Sequence, residues 1–259
     1  MAKRVAWISS IGPSDAAIQK LIAILQQYGL VGQGHVWSDD PDRMAWMGPR
    51  EELLKAETSM WIILATPEGL QGSSIRYGLS LLALTVQATR GSSFPIAVIT
   101  VQSSGILPDL PTPLRSAASL ALEESGLGPK IVALAHKKSG KGAASYHCDV
   151  YGNPRIGQWF EVGPVGEEWS GALFAVDEGE IRFHASGRRG VLPERATLEY
   201  PSKGIELELQ NSTFTAWACR NRLGQQESYF VQVSGRPESI LFGPFPESED
   251  PELFTLKLV

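Results

Sequence analysis

Cysteine is scarce in this sequence. Cys148 and Cys219 are its two cysteines among 259 residues, and no C-x-x-C pair occurs. A disulfide-rich scaffold and a zinc ribbon are therefore not expected. Long apolar runs are lacking as well, because WIILA and PIAVITV fall far short of the roughly 20 residues that a membrane-spanning helix needs. The opening MAKRVAWISS has no signal-peptide pattern, so we expect a cytoplasmic protein with no membrane partner.

Basic residues are in short supply in the second half of the chain. Residues 1–145 contain 13 Lys and Arg against 11 Asp and Glu, whereas residues 146–259 contain 10 against 17. Nucleic-acid backbones are bound by clustered cations, so nucleic acid is not expected to bind the second half. An acidic surface suits a basic face of another protein better. The charge pattern therefore favours a protein partner for this half.

The first half alternates strand-like and helix-like patterns. Apolar runs predict strands, in the order 5–8, 34–37, 61–65, 95–101 and 131–134. Helical spacing of apolar residues predicts the helices between them, over 16–28, 50–57, 74–88 and 114–124. Alternation of this kind is typical of a mostly parallel sheet with helices on both faces. We assign residues 1–138 to this α/β domain.

The pattern changes near residue 145. Short segments with alternating side chains follow one another between turn residues, and examples are GQWFEVG, RATLEY, GIELELQ and SYFVQVSG. Eight or nine such strands without a helix predict an antiparallel β-sandwich over residues 156–259. The polar, glycine-rich segment between the two patterns predicts a linker over residues 139–155. The expected fold class is thus α/β followed by all-β.

Polar residues follow the predicted parallel strands, where open α/β sheets bind their ligands. The segments at this edge are 9–12, 37–47, 66–76 and 102–106. Hydroxyl groups, carboxylates and the amides of a helix start are the expected ligand contacts, because free N–H groups at a helix start favour anions. The candidate ligand-binding residues are Ser9, Ser10, Gly12, Trp37, Asp39, Asp40, Ser73, Ser74 and Arg76.

The order of segments over about residues 3–135 resembles a TIR domain. A strand and the VWSDD loop come first, then REELLKAETSMWIILATPEGLQ, and then SSIRYGLSLL. TIR domains carry a catalytic glutamate in a W-C-x-x-E-L pattern on the last of these helices, and Gly78 takes its place. The related nucleoside deoxyribosyltransferases have a G-T-x-x-E-x-G-x-A turn, which the segment 72–80 resembles. In that register the glutamate falls on Arg76.

These resemblances imply a flavodoxin-like fold and a nucleotide-like ligand such as NAD. Both families cleave N-glycosidic bonds, and a carboxylate stabilises the positive charge that develops on the sugar. Glycine cannot do this, and arginine would repel that charge while binding phosphate. The expected protein is therefore a non-catalytic TIR-like signalling or assembly protein that requires no cofactor. TIR-like units often self-associate. Some prokaryotic defence proteins join such a unit to a second module, and the two-domain layout predicted for this chain is similar to theirs.

Two alternatives to this expectation remain. A displaced carboxylate would make the chain an NAD or nucleoside N-glycosidic hydrolase. Glu68 is the first catalytic candidate in that case, because it follows the apolar run 61–65 closely, and an aspartate of the loop after Trp37 is the other. In the other alternative, the α/β domain is only a scaffold and the chain is a purely structural subunit.

The histidines give little support for a metal site. The four of them are scattered, and no ligand spacing repeats. The group that could meet at a metal consists of His136, His147, Cys148 and Asp149. We therefore expect no bound metal.

Overall fold

The chain folds into two compact units, Met1–Gly142 and Ala143–Val259, which we call the α/β unit and the β unit. The structure, a computed structural model, describes residues 4–101, 109–137, 145–209, 212–246 and 252–259. Within these ranges, no helix combines the length and the apolar character that a membrane crossing requires.

The α/β unit is built on a five-stranded parallel sheet. In chain order its strands are β1 (Arg4–Ile11), β2 (Leu30–Val36), β3 (Thr58–Ala65), β4 (Ile96–Thr100) and β5 (Ala118–Ala121). In space their order is β2-β1-β3-β4-β5. The helices are α1 (Asp15–Gln27), α2 (Arg50–Leu54), α3 (Ser73–Arg90) and α4 (Leu127–Ala135). The expectation of a parallel sheet with helices is confirmed.

Helices α1 and α4 pack against the same face of this sheet. Leu21 of α1 and Ile131 of α4 belong to one buried cluster with Ile62 of β3. Successive side chains of a strand point to opposite faces, so Trp61 points away from this cluster. Helix α3 lies outside the cluster, is buried throughout residues 77–86 and packs against α2. This long buried helix supplies the residues that the TIR resemblance singles out.

The end of the α/β unit differs from the sequence prediction. The predicted helix over 114–124 is wrong, because residues 118–121 form β5 and pair with β4. The predicted strand over 131–134 is also wrong, because this run lies inside α4. A four-residue apolar run fits either element, so tertiary contacts decide between them. The apolar residues of α4 recur at helical spacing and enter the cluster with α1.

The β unit contains nine strands in its described ranges, arranged in two antiparallel sheets. They are β6 (Tyr146–Asn153), β7 (Gly157–Pro164), β8 (Ala172–Val176), β9 (Glu180–Arg188), β10 (Ser202–Leu209), β11 (Ser212–Cys219), β12 (Glu227–Ser234), β13 (Ser239–Pro244) and β14 (Phe254–Lys257). One sheet has the order β10-β11-β8-β13-β14 and the other β6-β7-β12-β9. The sheets contact each other through the rings of Phe160 and Phe174, whose centroids are 5.2 Å apart. The expectation of antiparallel sheets is confirmed.

Two segments of the β unit differ from the sequence prediction. The range 139–155, predicted to be a linker, contains β6, while its residues 139–144 lie outside the described part. Polar side chains recur along β6 and imitate a linker, although the strand is mostly buried. The segment RATLEY (195–200), predicted to be a strand, forms a loop that Arg220 N holds by donating to Glu199 O at 2.8 Å.

Candidate functional site

The strand order of the α/β sheet reverses between β1 and β3, which is where open sheets of this kind bind ligands. The segments that follow these strands contact each other directly, because Thr66 N donates to Ile11 O at 3.2 Å. Gly12 has a φ of 76°, and a Cβ on it would lie 3.3 Å from Thr66 Oγ1. Gly12 therefore serves both the turn and the close approach of the two segments.

Ser9 and Ser10 point to opposite sides of the sheet, as alternation along a strand requires. Ser9 is fully buried, and its Oγ accepts a hydrogen bond from Trp61 Nε1 at 2.9 Å. Ser10 lines a cleft of about 190 Å³ between β1, β2 and α1, together with Ile22 and His35. The two hydroxyls therefore do not converge on one ligand.

Gly78 of α3 lies beneath two tryptophans. A Cβ built on it would be 2.9 Å from Trp37 Cζ2 and 3.3 Å from Trp46 Cβ. Trp46 is buried and Trp37 is half-buried. In the TIR register, Gly78 stands where the catalytic glutamate would be. Tryptophan atoms fill that space, so even a methyl group does not fit there unless an indole ring moves.

The start of α3 is tied to its surroundings by two side chains. Ser74 Oγ donates to Asp39 Oδ1 at 2.7 Å, which joins α3 to the loop after β2. The Arg76 guanidinium donates to the carbonyl oxygen of Asp109. Ser73 is exposed at the first position of the helix. The structure thus brings Asp39, Ser73, Ser74 and Arg76 to one end of α3.

The remaining acidic candidates lie on turns. Asp40 Oδ1 accepts from Arg43 N at 3.1 Å, so this carboxylate stabilises a local turn. Glu68 is exposed on the turn after β3, and its carboxylate accepts no hydrogen bond from the residues that the structure describes. The segment 102–106, also expected at this edge, lies outside the described residues.

A second concentration of polar groups lies in the β unit, on β6 and β7. Alternation along β6 places His147, Asp149 and Tyr151 on one face of its sheet. Glu161 of β7 is the cross-strand partner of Asp149. The relative exposures of His147, Asp149 and Glu161 are 9%, 6% and 0%. Ser228 of β12 is fully buried, and its Oγ lies 3.4 Å from a Cβ built on Gly163, the cross-strand partner of His147. We call His147, Asp149 and Glu161, together with Tyr151 and Ser228, the buried polar cluster.

Glu161 is the centre of the buried polar cluster. Its Oε1 accepts from Gly190 N at 2.8 Å and lies 3.7 Å from His147 Nε2, while its Oε2 accepts from the Tyr151 hydroxyl. Burial alone would raise the pKa of Glu161, but nearby polar groups, including the Tyr151 hydroxyl and the Gly190 N–H that donate to it, outweigh burial and hold this pKa below its usual value. Burial and the neighbouring carboxylates raise the pKa of Tyr151. Glu161 is therefore ionised and Tyr151 is neutral at neutral pH.

Two polar atoms of the buried polar cluster have no hydrogen-bond partner among the described residues. His147 Nε2 and Ser228 Oγ are inaccessible to solvent, and neither makes a hydrogen bond with any described residue. At 3.7 Å, His147 Nε2 is too far from Glu161 Oε1 for a hydrogen bond. Buried polar atoms nearly always have a partner, so these two call for an explanation.

Known proteins give no family assignment for the chain. No family model matches it, and no match was found among the curated proteins. Its function must therefore be inferred from the two sites described above, the end of α3 and the buried polar cluster.

The structure brings together half of the group that the sequence suggested for a metal. His147 and Asp149 meet, whereas Cys148 points to the opposite face of β6 and His136 lies at the end of α4. Glu161 is the third residue of this group, and the sequence did not lead us to predict it. The available signal was a glutamate in the otherwise apolar run WFEV, on a strand adjacent to β6.

Proposed function

We propose that the chain is a non-catalytic signalling or assembly protein, with a TIR-like, flavodoxin-like α/β unit and a β-sandwich. The observation that carries this proposal is the packing of Trp37 and Trp46 against Gly78. Two further observations support the fold assignment. The order β2-β1-β3-β4-β5 is the flavodoxin-type order. Contact of two antiparallel sheets through Phe160 and Phe174 fits a sandwich.

Neither position at which the two resembled families carry their catalytic glutamate holds a carboxylate in this chain. The developing positive charge on the sugar requires a carboxylate within contact distance. At Gly78 the indole rings leave no room for one. At Arg76, the other register, the side chain is a cation and donates to a carbonyl of the chain. Both positions therefore disfavour the chemistry of the families that the sequence resembles.

The end of α3 suits an anionic ligand, and a nucleotide such as NAD carries the required phosphates. Ser73 is exposed at the helix start, where free backbone N–H groups favour negative charge. Arg76 lies one turn further on, and of the five N–H donors of its guanidinium the described residues engage one, through the carbonyl oxygen of Asp109. We propose that phosphate groups bind there, without chemical change of the ligand.

The β unit is proposed to bind a basic face of a protein partner. Residues 146–259 have 17 acidic against 10 basic side chains. Glu206 and Glu208 lie exposed on β10, an edge strand of its sheet. Tyr200, in the loop before β10, is 79% exposed, and an exposed aromatic side chain is a typical anchor in protein interfaces. Self-association of the chain is the second form of assembly that we propose.

Incubation with NAD and with nucleosides tests the non-catalytic function. The purified chain is used at high concentration so that assembly does not limit activity, and products are separated by chromatography. We expect no product. We also expect NAD binding in calorimetry, weakened by Arg76→Ala. Arg43→Ala is the matched control, because Arg43 is an exposed arginine that pairs with Asp40 on a nearby turn.

The hydrolase alternative is favoured by one observation, the exposed Glu68 carboxylate on the turn after β3. Product formation that Glu68→Gln abolishes would replace our proposal with catalysis by a displaced acid. Product formation that survives Glu68→Gln would also overturn it. Absence of both product and NAD binding would leave the α/β unit as a structural scaffold.

A further inference from the structure

Two buried carboxylates face each other in the buried polar cluster. Asp149 and Glu161 are direct cross-strand partners, with exposures of 6% and 0%. Like charges at such positions destabilise a sheet, and burial increases their repulsion. The Tyr151 hydroxyl and the Gly190 N–H both donate to the Glu161 carboxylate and fix its position opposite Asp149. Positive charge between the two carboxylates would remove this repulsion.

His147 points a free ring nitrogen at these carboxylates. Its Nε2 is 3.7 Å from Glu161 Oε1, its side chain is 8% exposed, and no described residue forms a hydrogen bond with this atom. Ser228 Oγ, also buried, lacks a hydrogen-bond partner in the same part of the structure. An imidazole nitrogen with no hydrogen-bond partner is available as a metal ligand. These two unpartnered atoms therefore point to a bound ligand independently of the carboxylate pair.

The geometry is close to that of a metal site. One ligand atom from each of His147, Asp149 and Glu161 lies within 4.8 Å of the others. First-row divalent cations bind nitrogen and oxygen ligands at about 2.1 Å, so the ligands of a tetrahedral ion are about 3.4 Å apart. Movements of about 0.8 Å by each ligand atom, which side-chain rotation provides, would bring all three atoms onto one ion.

The donor set selects the class of ion. One imidazole and two carboxylates suit Zn²⁺ or Mn²⁺, whereas Mg²⁺ and Ca²⁺ prefer oxygen ligands alone. No thiolate takes part, because Cys148 points to the opposite face of β6. We propose that His147, Asp149 and Glu161 bind one Zn²⁺-type divalent cation in the β unit, with the Ser228 hydroxyl adjacent as a fourth ligand or a water contact. Tyr151 is a positioning residue that orients Glu161 through its hydroxyl.

Metal titration of the full chain tests this site. The protein is freed of metal with a chelator, checked by far-UV circular dichroism, and titrated with ZnCl₂ and separately with MnCl₂. Bound metal is counted by elemental analysis after gel filtration. We expect one equivalent of Zn²⁺ per chain and a rise of the thermal unfolding temperature on binding. His147→Gln and Asp149→Asn should both abolish the bound equivalent and the rise.

A matched control is His184→Gln. His184 is a buried histidine of the same unit whose Nε2 also lacks a hydrogen-bond partner in the described chain, but it belongs to no group of metal-ligating side chains there. This variant should keep one equivalent. Tyr151→Phe should keep the equivalent but weaken Zn²⁺ affinity about 10- to 100-fold, as loss of an outer-shell contact does. A folded wild type that binds no metal, or an equivalent retained by both His147→Gln and Asp149→Asn, would overturn the proposal.

Discussion

One methyl group added at Gly78 should destabilise the α/β unit only while Trp37 is present. Replacing glycine by alanine inside a helix stabilises it by about 1 kcal/mol. In the wild type the new Cβ would lie 2.9 Å from Trp37 Cζ2, and such overpacking costs about 1–3 kcal/mol. The net effect of Gly78→Ala is then a loss of up to about 2 kcal/mol.

In a Trp37→Ala background the sign should reverse. The contact at 2.9 Å is gone and the contact with Trp46 Cβ at 3.3 Å remains, so Gly78→Ala should stabilise by up to about 1 kcal/mol. The coupling between the two substitutions is therefore about 1–3 kcal/mol.

Urea unfolding followed by far-UV circular dichroism gives the four free energies of this double-mutant cycle. A cycle with Trp7→Ala is the matched control, because the Trp7 ring packs on His35 at 5.9 Å and is not among the nearest neighbours of Gly78. That control cycle should show no coupling. Coupling below about 0.5 kcal/mol in the Trp37 cycle would refute the conclusion that Trp37 fills the space beside Gly78.

Three further predictions concern buried polar groups. Ser9→Ala leaves Trp61 Nε1 unsatisfied, so urea unfolding should show a loss of about 1–3 kcal/mol, and an unchanged midpoint would contradict the role given to Ser9. Burial lowers the pKa of His184 from 6.5 to about 4, so the free energy of unfolding should fall as the pH decreases from 6.5 to 4. The fall should be smaller in His184→Gln, and equal falls in the two proteins would exclude His184 as the cause. Burial raises the thiol pKa of Cys148 and Cys219, so a thiol reagent should label neither in the native protein and both in urea; rapid native labelling would contradict the described burial.

The parallel sheet was predictable where the local pattern and the tertiary environment agree. Strands β3 and β4 are buried on both faces, and such strands read as continuous apolar runs. The prediction failed at β5 and α4. Strand β5 is an edge strand of four residues rich in alanine, so only its pairing with β4 distinguishes it from a helix.

The sites were less predictable, because each depends on contacts distant in sequence. Polar residues after the strands were recognised, but the sequence does not reveal that Trp61 Nε1 donates a hydrogen bond to the Ser9 hydroxyl. His147 and Asp149 were recognised as a pair that could meet at a metal, but they were given no weight because β6 has the polarity of a linker, and Glu161 was missed. The Gly190 N–H that donates to Glu161 lies 29 residues further along the chain, so the local sequence does not show this contact.

The length of the loop between β9 and β10 matters more to the β unit than the loop's amino-acid composition. Its hydrogen bond to Glu161 comes from the backbone of Gly190, whose φ of 77° favours glycine at that position. Glu199 anchors the other end, again through a main-chain atom. Most side chains between these two points can therefore vary. A deleted residue would pull Gly190 away from Glu161, so natural variation in this loop should consist of substitutions rather than gaps.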